Sequence, residues 1–128
     1  MAPYSGTAFA LVSKLENGES ILILNDKRRV RNHLGSIHAI ALANVAELAS
    51  GLAVFSKVPP GTRGIIKKIE MEYFKKARGR ITIKGSANPP TTILENIDLI
   101  STSNLFDGEG ELIAAFKATW QIGPRKTK

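Results

Sequence analysis

The stretch from Ile37 to Val58 constrains this chain more than any other segment, because it combines helical spacing with apolar residues on nearly every side. Ile37, Ile40, Ala41, Val45, Leu48, Leu52 and Phe55 recur at intervals a helix would align, and the positions between them are mostly Ala, Gly and Val. Such a helix has to be enclosed by protein or by lipid. Glu47 and Asn44 stand at its middle, where a carboxylate costs about 3 kcal/mol on insertion scales, and the rest of the chain reads as strands. The reading is therefore a buried helix and no membrane span. Ser36 is placed to cap its start, and Val58-Pro59-Pro60-Gly61 ends it.

On either side of this helix the period changes to two. Phe9 to Leu15 and Ser20 to Asn25 are short β-rich runs joined by Glu16-Asn17-Gly18-Glu19, whose Asn-Gly pair predicts a hairpin. A polar, basic loop, Asp26 to Gly35, leads into the helix. Beyond it, Arg63 to Phe74 places Ile65, Ile69, Met71 and Tyr73 on one face and Ile66, Lys68, Glu70, Glu72 and Phe74 on the other, with Lys67 breaking the alternation. Arg80 to Lys84 follows a turn at Ala77-Arg78-Gly79, so these two segments are expected to form a second hairpin. Asn96 to Ser103 and Glu111 to Ile122, joined by Phe106-Asp107-Gly108-Glu109-Gly110, make a third. The sum is an α+β domain in which about six antiparallel strands curl around one long central helix.

A length of 128 residues with 43% apolar and 23% charged residues suits one domain spanning 1–128, with Pro124 to Lys128 a frayed basic tail. The absence of cysteine excludes a disulfide scaffold, a cysteine nucleophile and thiolate-bound metal, and two histidines without a third ligand in register give no reason to expect a metal site. Met1 to Gly6 lacks a basic n-region and no uninterrupted apolar run follows it, which leads to the expectation of a cytoplasmic protein. Eighteen Lys and Arg against eleven Asp and Glu give +7 and favour an anionic partner. Nucleic acid fits poorly, since aromatics are sparse and no recognised binding motif is present.

Asn32-His33-Leu34-Gly35-Ser36-Ile37-His38, followed by a helix carrying Glu47, resembles the hotdog-fold acyl-CoA thioesterases, above all the phenylacetate-pathway type. Those enzymes carry Asn-His-x-Gly-x-x-His-Gly-Gly and then a helix acid at the interval that separates Asn32 from Glu47. The opening Pro3-Tyr4-Ser5-Gly6-Thr7 and the Arg31-Asn32 pair look more like an uncharacterised branch of the same superfamily. There are two departures. Ala39-Ile40 replaces the Gly-Gly pair, whose backbone a thioester can approach more closely, and the helix acid is Glu where the nearest type has Asp.

The resemblance implies a hotdog fold, thioester hydrolysis, and an active site shared between two chains of a homodimer or dimer of dimers. Hydrolysis needs a carboxylate to attack or to activate water, and Glu47 is the one acid between Asp26 and Glu70. Buried among Ala and Leu side chains, it would be poised as general base or nucleophile; the alternative is a helix acid paired with Lys or Arg. Backbone N–H groups at the helix start, that of Ala39 in particular, suit a developing oxyanion. Asn32 would orient water or carbonyl, His38 would shape the pocket, and His33 reads as a loop residue. Coenzyme A enters as part of the substrate, with no separate cofactor, and its phosphates are assigned to Lys75, Lys76 and Arg78 at the tip of the second hairpin. A competing reading is a hotdog protein that binds acyl-CoA or another apolar ligand without turning it over.

Overall fold

The computed structural model describes residues 10–25, 39–77 and 79–124. Its elements in chain order are β1 (Ala10–Glu16), β2 (Glu19–Leu24), α1 (Ala39–Phe55), β3 (Arg63–Tyr73), β4 (Ile81–Ala87), β5 (Ile97–Phe106) and β6 (Leu112–Gly123). The strands form one antiparallel sheet in the order β1-β2-β4-β5-β6-β3, and α1 lies across one of its faces. This is the α+β arrangement of the hotdog fold. No helix among the described residues is long and apolar enough to cross a membrane.

The β1–β2 hairpin turns where its Asn-Gly pair predicts. Asn17 and Gly18 both take positive φ, 54° and 89°, which matches the right-handed twist of the flanking strands in a two-residue turn. The Gly18 N–H donates to Ser56 Oγ at 2.8 Å, so the tip is tied to the residue just past the helix. The β5–β6 hairpin also forms as expected.

The second expected hairpin does not form. β3 pairs with β6, and β4 lies between β2 and β5, so two strands separate the segments that sequence proximity suggested would pair. Length and burial explain the exchange. β3, with 11 residues, matches the 12 of β6, and its wet alternation suits an edge. β4 carries the fully buried Ile81 and Ile83 and a glycine that the helix backbone approaches closely, which requires the sheet centre. The connection is held down by Phe74 and Lys75, whose N–H groups both donate to the Ile113 carbonyl at 2.8 and 3.2 Å.

Lys67 is where β3 bulges, since the register with β6 shifts between Ile66 and Lys68. The extra residue reverses the faces on its N-terminal side. Gly64 and Ile66, not Ile65, therefore share the helix side with Ile69, Met71 and Tyr73, opposite Ile122, Trp120, Ala118, Phe116 and Ala114. Ile65 faces outward and is exposed.

The helix buries Ala41, Leu42, Val45, Ala46, Ala49, Ser50, Ala53 and Val54, a single stripe at helical spacing, against Leu22, Leu24, Ile81, Ile83, Leu105, Phe116 and Ile122. Its other side is not enclosed, contrary to the expectation from its all-round apolar character. Ile40 is 75% exposed, Phe55 is 43% exposed, and Leu48 and Leu52 are half-buried. Among the described residues, the six strands cover one face of the helix and leave the opposite face open.

Candidate active site

The uncovered face of α1 carries Asn44, Glu47, Leu48, Gly51, Leu52 and Phe55, a row at intervals of three and four. With Trp120 of β6 these residues line an open groove of about 410 Å³. Trp120 is the floor. Its indole N–H donates to Ser101 Oγ at 2.8 Å, so the ring's polar atom is satisfied within the sheet. Phe55 packs edge-on against it, with ring centroids 5.7 Å apart and planes at 81°. Gly51 leaves room beside the indole, because a Cβ there would lie 3.4 Å from the ring. The result is an apolar trough with a carboxylate and an amide at one end.

Glu47 is exposed, and the burial among Ala and Leu expected from the sequence does not occur within one chain. The reason is its angular position: Ala46, Ala49 and Ala53 face the sheet and Glu47 faces away. Ala39 opens the described part of α1, and its carbonyl accepts a hydrogen bond from Tyr73 Oη at 2.9 Å. Burial pushes the Tyr73 hydroxyl above its ordinary pKa. Eight residues separate Ala39 from Glu47, about 12 Å along the axis at 1.5 Å per residue. Ala39 and Glu47 thus stand about two turns of helix apart.

Asn32, His33, His38 and Arg78 lie outside the described residues, as does the basic group Lys27, Arg28, Arg29 and Arg31. Lys75 and Lys76 sit in the β3–β4 connection and not at a hairpin tip. Lys75 is already engaged: its Nζ is 2.7 Å from Glu111 Oε1, and that hydrogen bond with its charge raises the lysine pKa. Lys76 is exposed. Other basic residues of this half of the chain are divided, with Arg63, Lys67 and Lys68 on β3, and Lys84 on β4 with Arg80 just before it. Among the described residues, the acidic side chains close enough to share a cation are Asp107, Glu109 and Glu111, in the β5–β6 turn. Asp107 Oδ1 there accepts the N–H groups of Glu109 and Glu111, which fixes the turn.

The sequence pointed to Glu47 but not to its surroundings. Phe55, Gly51 and Trp120 were legible only as core or helix residues, although the interval from Asn44 to Phe55 was there to be read as a second stripe. Tyr73 carried no signal beyond strand alternation.

The family model described as "Domain of unknown function (DUF4442)" matches residues 1–122. The chain belongs to the DUF4442 family. Among curated proteins none matches it. Solved structures do match this DUF4442 chain. A protein of unknown function from Pseudomonas aeruginosa, described as a probable thioesterase, superposes with a TM-score of 0.80 at 22% identity, over 92% of this chain and 85% of the other. A thioesterase family protein from Silicibacter pomeroyi gives 0.77 at 21% identity, over 93% and 88%. A hypothetical thioesterase from Streptococcus pneumoniae, solved with coenzyme A, gives 0.75 at 20% identity, over 91% and 88%. At these identities the likeness establishes the fold: this DUF4442 domain has the hotdog fold of thioesterase-family proteins.

Proposed function

We propose that this protein hydrolyses acyl-CoA thioesters, with Glu47 as general base or nucleophile and the acyl group lying in the groove over Trp120. The observation that carries this reading is a carboxylate at the end of an apolar trough on the one helix face that the sheet leaves uncovered. In the general-base form Glu47 takes a proton from water as the oxygen adds to the thioester carbon. Negative charge develops on the carbonyl oxygen, where a backbone N–H at a helix start, that of Ala39, donates to it. Collapse of the tetrahedral intermediate breaks the carbon–sulfur bond, and coenzyme A leaves as a thiolate, a good leaving group because thiols ionise near pH 8.5. As nucleophile, Glu47 would instead form an acyl anhydride that water then opens.

A separation of about 12 Å along the axis supports a site in which one chain supplies the acid and another the oxyanion donor. A homodimer, singly or as a dimer of dimers, meets this need. β3 is an edge strand whose helix-side residues Ile69 and Tyr73 remain about half exposed, so its free backbone groups and apolar side chains suit a second copy. That copy would also cover the open face of α1 and shield Glu47 and the reacting water from bulk solvent. Asn32 and His38 precede the described part of α1 in sequence, and in this reading they orient water and shape the pocket. Lys76 and Arg78, with Lys75 shared with Glu111, meet the phosphates of coenzyme A. The Streptococcus pneumoniae relative solved with coenzyme A supports this choice of ligand.

A second reading, binding of acyl-CoA without turnover, is favoured by Ala39-Ile40, since the exposed Ile40 side chain stands where a smaller residue would let a thioester reach the backbone. Thiol release from short, long and aromatic acyl-CoAs, measured beside Glu47→Gln, separates the two. Hydrolysis reduced at least about 100-fold in the variant, with acyl-CoA binding retained, is the expected result. Equal rates in both proteins would remove Glu47 from the mechanism, and tight binding with no thiol release from any substrate would establish the second reading.

A further inference from the structure

Four polar side chains are fully buried among the described residues: Ser20, Ser50, Ser101 and Ser103. Ser101 receives the Trp120 indole N–H, and the other three all reach the backbone of one helical turn. Ser20 Oγ donates to the Ala49 carbonyl at 2.6 Å, Ser103 Oγ to the Ala46 carbonyl at 2.8 Å, and Ser50 Oγ to the Glu47 carbonyl at 3.0 Å. Those carbonyls lie mid-helix and have their own N–H partners four residues on, so the helix does not need these bonds to satisfy its backbone.

Ser20 and Ser103 come from different strands but lie in one row. Ser20 of β2 is opposite Gly85 of β4, and Gly85 is in turn opposite Ser103 of β5. This Ser-Gly-Ser row crosses three neighbouring strands directly beneath residues 46–49. Gly85 lets the helix come down until the Ala49 carbonyl fills the space of a Cβ, and the flanking hydroxyls then bond to the backbone on either side.

We infer that Ser20 and Ser103 are positioning residues for Glu47, holding the helical turn that carries it at one rotation and one height over the sheet. The inference rests on the proposed role of Glu47. Its physical basis is that the sheet-facing side of this turn is made of Ala46 and Ala49, which pack closely but without direction and would permit the helix to roll or slide. Hydroxyl-to-carbonyl bonds are directional. A roll of about 10° moves a group some 6 Å from the helix axis by about 1 Å, and a misplacement of that size costs on the order of 100-fold in rate.

The test compares wild type, Ser20→Ala, Ser103→Ala and the double variant as full-length chains, both alone and in a Glu47→Gln background. With acyl-CoA substrates, kcat falls about tenfold in each single variant and more in the double, while KM stays within about twofold. In the Glu47→Gln background the serine substitutions cause no further loss, because the group they position is already gone. Amide hydrogen exchange supplies a readout that does not depend on turnover. Protection of residues 46–53 falls at least about tenfold in the double variant, while the β5–β6 core keeps its protection. Unchanged kcat, an equal further loss without Glu47, or unchanged protection of the turn would each overturn the inference. Absence of thiol release by the wild type would refute the proposed hydrolysis and leave the exchange experiment to decide the seating of the helix.

Discussion

Substituting Gly85 by Ala tests how tightly the helix is seated. A Cβ at Gly85 meets the Ala49 carbonyl, with the carbonyl carbon at 2.6 Å and the Ser20 hydroxyl oxygen at 2.5 Å. The Ala49 carbonyl is helix backbone that cannot swing aside, and Ser20 and Ala49 are both buried. Carbon atoms in contact sit about 3.5 Å apart, so the helix has to lift by roughly 1 Å. That lift stretches the 2.6 Å bond from Ser20 to the Ala49 carbonyl beyond hydrogen-bonding distance. Overpacking of this kind costs about 1–3 kcal/mol, and the lost bond adds about 1 kcal/mol. The expected destabilisation is therefore about 2–4 kcal/mol, a large part of the roughly 5–15 kcal/mol that holds a domain together. For a chain of this size it corresponds to a fall in Tm of about 10 °C. Urea unfolding at a fixed protein concentration measures it, the concentration being fixed because self-association would contribute to the midpoint. A loss below about 0.5 kcal/mol would show that the row beneath the helix yields easily, and would refute the close-seating argument.

The same chemical change at Gly51 is expected to act in the opposite direction. Gly51→Ala adds a Cβ at ordinary contact distance from the Trp120 ring and replaces a mid-helix glycine, so stability rises by up to about 1 kcal/mol while the floor of the groove is covered and KM for acyl-CoA increases. A fall in Tm, or an unchanged KM, would contradict the assigned groove. Lys75→Met tests the ion pair with Glu111 through pH. The lysine pKa is raised in the folded state, so the pair's contribution is complete below the unfolded lysine value of about 10.4 and is lost as pH rises through the higher folded value. Thermal midpoints followed from pH 9 to about 11 should fall more steeply in wild type than in the variant, and parallel curves would remove the pair from the balance.

Much of the fold was legible because it rests on local chemistry. Asn17-Gly18 specifies its turn through two residues that tolerate positive φ, and Lys67 interrupts the β3 alternation at the residue where the strand bulges. Pairing partners were less legible. β3 and β4 are neighbours in sequence, yet the burial of Ile81, Ile83 and Gly85 draws β4 to the sheet centre while the charges of β3 keep it at an edge. The candidate acid was visible as the single carboxylate of the helix. Its exposure was not, because an apolar helix does not announce which of its sides the chain has enough strands to cover.

The sequence by itself determined the element types, the β1–β2 and β5–β6 turns and the placement of one acid among small apolar residues, since these follow from side-chain period, backbone preference and charge within a few residues. Only the tertiary structure decided which strands adjoin, that Ser20, Gly85 and Ser103 fall in one row beneath residues 46–49, and that Glu47 stands over an open apolar groove with Trp120 as its floor. Those outcomes depend on contacts between residues tens of positions apart. Each is set by the competition of whole faces for burial, which no local pattern encodes.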